Sequence, residues 1–383
     1  MKKAFYILLP ILILLYGCKN EKGLKRDLPE SVAKTIDLKY AKGFTVDYNS
    51  NFKVLTINNP WPESEKTYKY LIASKEQLSK MTFPKDAYDG VFSDSITKLV
   101  VTSTTHIPAL ELLGVEHTLV GFPGTDYISS EKTRQRIDEG NIRELGKNEG
   151  INTEVLLEVD PNVVIGFGVD GVNKTFETIK KAGVPVIYNG DWVESSALAR
   201  AEWIKFFGVL FNKEQKADSI FNTIENSYLE AKEIAQNAKD KPTVLSGVMN
   251  GNVWELPNGT SFEAQFLKDA NLKYLWSDTT GNGSLKLSFE AVFEKAKDAD
   301  LWLSPSYYSS LEQLEKANKL YTSFEAFKTK NIYSFTNTKG ATGGVLYYEL
   351  GTTRPDLILR DLIKIGHPEL LEGYTPYFFK RLD

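Results

Sequence analysis

The chain has 383 residues, 42% hydrophobic and 25% charged, with a formal net charge of −4. That length exceeds one ordinary domain and makes two lobes the expectation, while the mild negative balance gives no pull toward nucleic acid or anionic membranes. A single cysteine excludes an internal disulfide framework, and the three histidines, His106, His117 and His367, show no ligand spacing, which argues against a metal site built on imidazoles.

Residues 1–18 read as a targeting segment. Lys2 and Lys3 start it, Ala4–Tyr16 is apolar, and Gly17 precedes the only cysteine. The apolar run is short for a membrane span and contains Pro10. Leu15-Tyr16-Gly17-Cys18 resembles a bacterial lipobox, which implies cleavage before Cys18 and diacylglycerol on its sulfur. Each buried lipid methylene contributes about 0.8 kcal/mol, so two or three acyl chains hold a protein firmly to a membrane.

Residues 19–38 are charged, without a stable apolar period, and read as a tether. Phe44–Val46 and Lys53–Ile57 alternate apolar and polar around Asn49-Ser50-Asn51, a hairpin signal, and Tyr68–Ile72 adds a strand. Residues 39–75 are therefore expected to form an N-terminal β appendage.

Residues 76–192 make the expected N-terminal lobe. Lys98–Thr102 is a short β-branched run and predicts a buried strand. Ser103, Thr104 and Thr105 are good N-cap types ahead of helical spacing over Ile107–Leu113, and Gly114 closes that helix. His117–Gly121 predicts the next strand. Asn152 or Thr153 starts a helix with Val155, Leu156 and Val159 as its stripe; Pro161 stops it before a strand at Val163–Ile165. Lys174–Lys181 reads as helix and Val184–Tyr188 as strand. This alternation predicts a mainly parallel α/β sheet.

Residues 193–240 are helical in pattern, over Ser195–Phe211 and Lys213–Ala238, with Asn212–Gln215 as cap and helix start between them. The second helix carries Phe221, Ile224, Tyr228, Ala231 and Ile234 on one stripe and is expected to connect the lobes. Residues 241–383 form the expected C-terminal lobe. Thr243–Met249 and Val253–Leu256 read as a hairpin, and a turn ending at Ser261 leads into a helix at Phe262–Ala270. Asp300–Leu303 and Asn331–Phe335 predict strands; Leu311–Leu320 predicts a helix, as does Leu346–Ile365, interrupted at Pro355. TEVLLEVDPNVVIGFG in the first lobe is echoed by FEAVFEKAKDADLWLS in the second.

Val101–His106, Leu113–Gly114, Val120–Gly121, Asn152–Glu154 and Pro161–Ile165 occur in order, and their spacing resembles the N-terminal lobe of periplasmic binding proteins that serve vitamin B12, ferric-siderophore and haem ABC importers. Asn162 stands where aspartate is commoner in that family. The resemblance implies a class III fold: two lobes, each with a central mainly parallel sheet flanked by helices, joined by a long helix. It implies a monomer that carries a metal-chelate cargo to an ABC permease dimer and its ATPase, from a lipid anchor in the periplasm. No catalytic residue, resident metal or cofactor is expected.

Glu154 and Glu290 hold equivalent places in the echoed segments, each in the first turn of a helix. The helix dipole favours a carboxylate there by about 0.3–1 kcal/mol, so simple capping is the plain explanation. The pair also resembles the two family glutamates that dock into arginine pockets of the permease, which would steer and register association.

Ligand candidates sit where strand ends and helix starts are expected to converge between the lobes. They are Thr104, Thr105, His106, Asp126, Tyr127, Phe167 and Trp192 from the first lobe. Trp254, Ser261, Tyr307, Tyr308 and Tyr347 come from the second. Aromatic faces suit a large planar or macrocyclic ligand. The arginines, among them Arg134, Arg136, Arg143, Arg200 and Arg354, are scattered, so a near-neutral corrinoid or hydroxamate siderophore fits better than a tris-catecholate. Haem stays open, with His106 or a tyrosine as axial ligand. Two other roles compete. A surface lipoprotein could pass haem or corrinoid to an outer-membrane receptor, leaving Glu154 and Glu290 idle. A lipid-anchored hydrolase lacks any G-x-S-x-G or P-loop signature to support it.

Overall fold

The computed structural model describes residues 34–383 except 85, 170, 172 and 282. The expected leader, Cys18 and most of the tether lie outside the described residues.

Strands β1 (Lys34–Thr35), β2 (Phe44–Tyr48), β3 (Lys53–Asn58), β4 (Thr67–Ala73) and β5 (Gly90–Ser93) form one sheet in that order. It is antiparallel through β4, with β5 parallel at the edge. Phe44, Val46, Leu55 and Ile57 alternate onto its buried face, as a half-covered strand requires. This sheet runs beyond residues 39–75 at both ends, and it does not stand apart. Phe44 packs on Trp203 with ring centroids 4.7 Å apart, inside the core of the first lobe. Buried carboxylates fix its entry. Glu202 accepts the N–H groups of Lys39, Tyr40 and Ala41 at 2.9, 2.7 and 2.8 Å, and Glu194 those of Lys42 and Gly43 at 2.8 Å.

The first lobe is built on β6 (Leu99–Val101), β7 (Leu119–Phe122), β8 (Arg143–Glu144), β11 (Val163–Gly166) and β12 (Val186–Tyr188), in the order β12-β11-β6-β7-β8, all parallel. A two-stranded ladder, β9 (Gly146–Lys147) with β10 (Gly150–Ile151), lies beside it. Every residue of β6 and β11 is buried, which explains their unbroken apolar runs: parallel strands are covered on both faces. Gly114 takes the left-handed C-cap, with φ of 70°. The strand expected at His117 begins at Leu119, because Glu116–Thr118 forms a 3-10 turn.

Two short helices, Ala197–Glu202 and Ile204–Leu210, replace the single helix expected over Ser195–Phe211. The helix Glu214–Ala235 follows, 22 residues long. Its buried stripe is Ala217, Phe221, Ile224, Tyr228, Ala231 and Ala235, at alternating spacings of four and three. The first three enter the core of the first lobe and the last three that of the second. One uninterrupted helix therefore pins both cores, and its far half packs on the helix Pro355–Gly366.

The second lobe holds β13 (Thr243–Ser246), β16 (Lys273–Tyr274), β18 (Leu301–Leu303), β19 (Ile332–Ser334) and β20 (Lys380–Arg381), ordered β16-β13-β18-β19-β20 and parallel except for β20. A second antiparallel sheet joins β14 (Val248–Asn250), β15 (Val253–Pro257) and β17 (Ser284–Leu287). The strand expected over Thr243–Met249 is thus two strands in two sheets. Gly247 makes the break with φ of +75°, and a Cβ there would sit 1.8 Å from the Glu255 carbonyl oxygen. Pro355 opens its helix instead of bending one, since the missing N–H has no partner to lose at a first turn. No described helix is long and apolar enough to cross a membrane.

Candidate functional site

Two cavities open at the C-terminal ends of the two parallel sheets, where loops and helix starts meet. The larger, about 750 Å³, belongs to the second lobe and is walled by residues following β13, β18 and β19, among them Tyr307, Tyr308 and Phe335, together with Tyr347 and Tyr348. The smaller, about 230 Å³, lies against the first lobe, beside Thr102, Ser103, Thr104, Phe122, Tyr127, Asn148 and Phe167, and is closed from the opposite lobe by Val345 and Tyr348. Tyr348 borders both. The larger volume falls in the range of small-molecule sites.

The segment carrying Tyr348 bridges the lobes. Lys339 pairs with Val345 across a tight loop. Thr342 Oγ1 donates to the Asp126 carbonyl at 2.8 Å. A Cβ on Gly344 would come 2.2 Å from the Tyr127 carbonyl oxygen, so only glycine permits this approach. The Glu349 carboxylate then accepts the Ser129 and Ser130 N–H groups at 2.5 and 2.9 Å. Burial pushes Glu349 up to about 7, against the pull of those two donors, and neighbouring Glu111 adds to the rise. Tyr347 stacks on Phe335 at 3.9 Å, within an aromatic group that includes Phe378 and Phe379. Its hydroxyl is held well above the usual phenol range by burial.

Of the residues expected from sequence, Thr104, Tyr127 and Phe167 line the smaller cavity, and Tyr307, Tyr308 and Tyr347 the larger. Tyr127 and Tyr307 are 71% and 66% exposed, unusual for large aromatic side chains and consistent with open contact faces. Thr105 lies behind the cavity wall, donating to the buried Asp191 carboxylate at 3.1 Å. Asp126 is exposed but meets the other lobe through its main chain only. Trp192 lines neither cavity and packs against the core of the first lobe, and its carbonyl accepts from Arg200 at 2.6 Å.

Three candidates are corrected. His106 is fully buried against Phe207, neither ring nitrogen is hydrogen-bonded among the described residues, and burial lowers it to about 3. It is a neutral core side chain. Trp254 is fully buried among Trp302, Tyr321 and Phe324, and its indole N–H donates to the Ser246 carbonyl at 2.9 Å. Ser261 is 3% exposed and caps its helix by accepting the Ala264 N–H at 3.2 Å. The expected hydroxyl cap before His106 is absent as well: Ser103 and Thr105 bond each other at 2.9 Å.

Tyr348, Phe335, Met249, Thr102 and Glu263 were missed as lining residues. Thr102 Oγ1 is buried beside the smaller cavity, without a hydrogen-bond partner among the described residues. Glu263 reads from sequence as an ordinary first-turn carboxylate of the helix Phe262–Asp269, yet it is exposed into the larger cavity. Arg200 lies close enough to lower the Glu263 carboxyl against the rise that burial imposes. Its guanidinium lies 3.6 Å from the Phe262 ring centroid and donates to the Trp192 and Glu194 carbonyls. Burial lifts nearby Asp191 to about 6, with Arg200 and the Thr105 hydroxyl opposing. Among the described residues, no group of three or more His, Cys, Asp or Glu is arranged to hold a metal ion.

Glu154 and Glu290 are both exposed. Asn152 Oδ1 caps the first helix by accepting the Glu154 and Val155 N–H groups at 3.1 and 3.2 Å; Ser288 Oγ caps the second by accepting that of Ala291 at 3.3 Å. Each helix leads into a parallel strand, β11 or β18, at corresponding positions of the two sheets.

Residues 99–338 match the sequence model of the periplasmic binding protein family. An uncharacterized lipoprotein of Methanocaldococcus jannaschii is 26% identical over an alignment covering 100% of this chain and 97% of that relative. Among solved structures, a periplasmic heme binding protein from Pseudomonas aeruginosa superposes with a TM-score of 0.57 at 17% identity, covering 75% of this chain and 98% of that one. A possible iron-binding, periplasmic solute-binding protein from Staphylococcus epidermidis gives 0.56 at 16% identity, with 71% and 99% covered.

Proposed function

The chain belongs to the periplasmic binding protein family, and on that premise we propose that it is the substrate-binding lipoprotein of an ABC importer. It takes up a metal-chelate cargo between its lobes, in the class of ferric siderophores, corrinoids and haem, and delivers it to a permease. The observation that carries this reading is the meeting of two aromatic-lined cavities at Tyr348, between lobes that share one continuous helix. A helix pinned into both cores resists bending more than extended crossovers do, so capture needs only a small closing motion. Release follows when docking favours the more open state.

Glu154 and Glu290 are the proposed contacts to the permease, one on each lobe, and Cys18 the proposed lipid attachment. The M. jannaschii relative, named a lipoprotein, supports that attachment. The role is binding and hand-over without bond chemistry on the cargo. Titrating tryptophan fluorescence with a ferric hydroxamate, a corrinoid and haem tests it. Saturable one-to-one binding of at least one, at micromolar or tighter affinity (about −8 kcal/mol), is expected. Binding of none contradicts the reading.

A further inference from the structure

We infer that the cargo presents an uncharged or cationic surface to the cleft, and that Glu263 sets this preference. The inference rests on the transport reading above and narrows its ligand class.

Among the described residues lining the two cavities there is no lysine, arginine or histidine side chain. The ionisable acids there are Glu255 and Glu263. Glu255 has a compensating cation, with Lys286 Nζ 3.6 Å away. Glu263 has no hydrogen bond or ion pair among the described residues, although its side chain is exposed within the cavity. Burial pushes the Glu263 carboxyl up and Arg200 opposes that rise through space, but the Arg200 guanidinium donates to two main-chain carbonyls and lies over the Phe262 face instead of bonding the carboxylate. The rest of the wall is uncharged: phenol, phenyl, hydroxyl and amide groups among aliphatic side chains such as Val248, Leu303 and Leu362.

An anionic chelate fits such a wall poorly. A tris-catecholate or a pair of haem propionates would lose hydration and find no cation in exchange, while facing an unpaired carboxylate. Among the described lining residues haem would also find no imidazole, and only phenols such as Tyr307 would be left as axial donors. A neutral chelate meets hydroxyls and aromatic faces that suit it. A cationic one gains an acceptor already in place, with the exposed aromatic side chains of Tyr307 and Tyr348 lining the same cavity.

The test uses the purified full chain and probes that share a scaffold and differ in charge. A linear ferric tris-hydroxamate with a free ammonium is compared with its N-acetyl (neutral) and N-succinyl (anionic) derivatives, and an aquo-corrinoid cation with its neutral cyano form. Haem completes the set. In whichever scaffold binds, the cation is expected to equal or exceed the neutral form, and the anion or haem to bind at least about tenfold more weakly. Glu263→Gln is expected to reduce the cation-to-neutral affinity ratio about tenfold, and Glu255→Gln by much less; an unchanged melting temperature verifies folding. An anionic probe binding as tightly as its neutral partner overturns the inference and leaves the transport reading standing. So does a ratio that Glu263→Gln leaves unaltered. Failure of every probe to bind overturns the transport reading itself, and this inference with it.

Discussion

The Glu349 carboxylate of the second lobe accepts the main-chain N–H of Ser130 in the first at 2.9 Å, from a site only 4% exposed. This contact closes one edge of the cleft immediately after Tyr348, and it makes the lobe junction sensitive to protons. Burial raises the carboxyl from 4.5 to about 7. A raised folded value means that its stabilising contribution is full below about pH 4.5 and is lost as pH climbs through about 7. The stability difference between wild type and Glu349→Gln should therefore fall between those pH values, by up to about 3 kcal/mol. Denaturant melts across that range measure it. Parallel curves for the two proteins would rule out this role for Glu349.

His106 carries the opposite sign. Its folded value is lowered from 6.5 to about 3, so stability is intact above pH 6.5 and drains away as pH falls toward 3. Replacing it with leucine removes two buried nitrogens that have no partner among the described residues. His106→Leu should lie within about 1 kcal/mol of wild type at pH 8 and gain about 2 kcal/mol on it by pH 5. Chelate affinity should be the same for both, because His106 lies in the core and lines neither cavity. A large loss of affinity in His106→Leu would return the histidine to the site.

These two residues also show where sequence reading reached and where it stopped. Local signals were legible. Leu99–Val101 is buried on both faces and so reads as an unbroken apolar run, Gly114 takes its left-handed cap, and the stripe on Glu214–Ala235 repeats every three to four residues. Burial of a particular side chain is a tertiary property. Nothing in the neighbours of His106 or Trp254 says that Phe207 or Trp302 will cover them. Tyr348 and Glu263 were missed for the converse reason. Tyr348 reaches the cleft because Gly340 and Gly344 let a distant loop lie on Ser129 and Tyr127, a contact between segments about two hundred positions apart. Glu263 occupies a place where a carboxylate is common for helix-dipole reasons alone, so its identity carried no extra signal.

The proposed docking pair separates transport from capture. Glu154→Ala combined with Glu290→Ala should leave chelate affinity within about twofold, since neither residue lines a cavity. Stability should drop by no more than about 0.3–1 kcal/mol per site through the helix dipole. Uptake by cells expressing the variant should be lost. Normal uptake would remove the docking role and favour a surface lipoprotein that serves an outer-membrane receptor.

The spine has its own test. Phe221 is fully buried where the helix enters the first core. Phe221→Ala should cost about 3–5 kcal/mol of stability, and Tyr228→Phe, which loses the 2.7 Å bond to Asp269, about 1–2 kcal/mol. Equilibrium denaturation followed by both far-ultraviolet circular dichroism and fluorescence gives these values. A single shared transition is expected from a helix common to both cores, and two separated transitions would contradict that coupling.

The most direct test concerns Tyr348, the side chain shared by the two cavities. Isothermal titration calorimetry of wild type and Tyr348→Ala against the tightest chelate should show one site per chain in the wild type, at micromolar affinity or better. Loss of that aromatic face should weaken binding at least about tenfold. Equal affinities in the two proteins would place the cargo outside the cleft and contradict capture between the lobes.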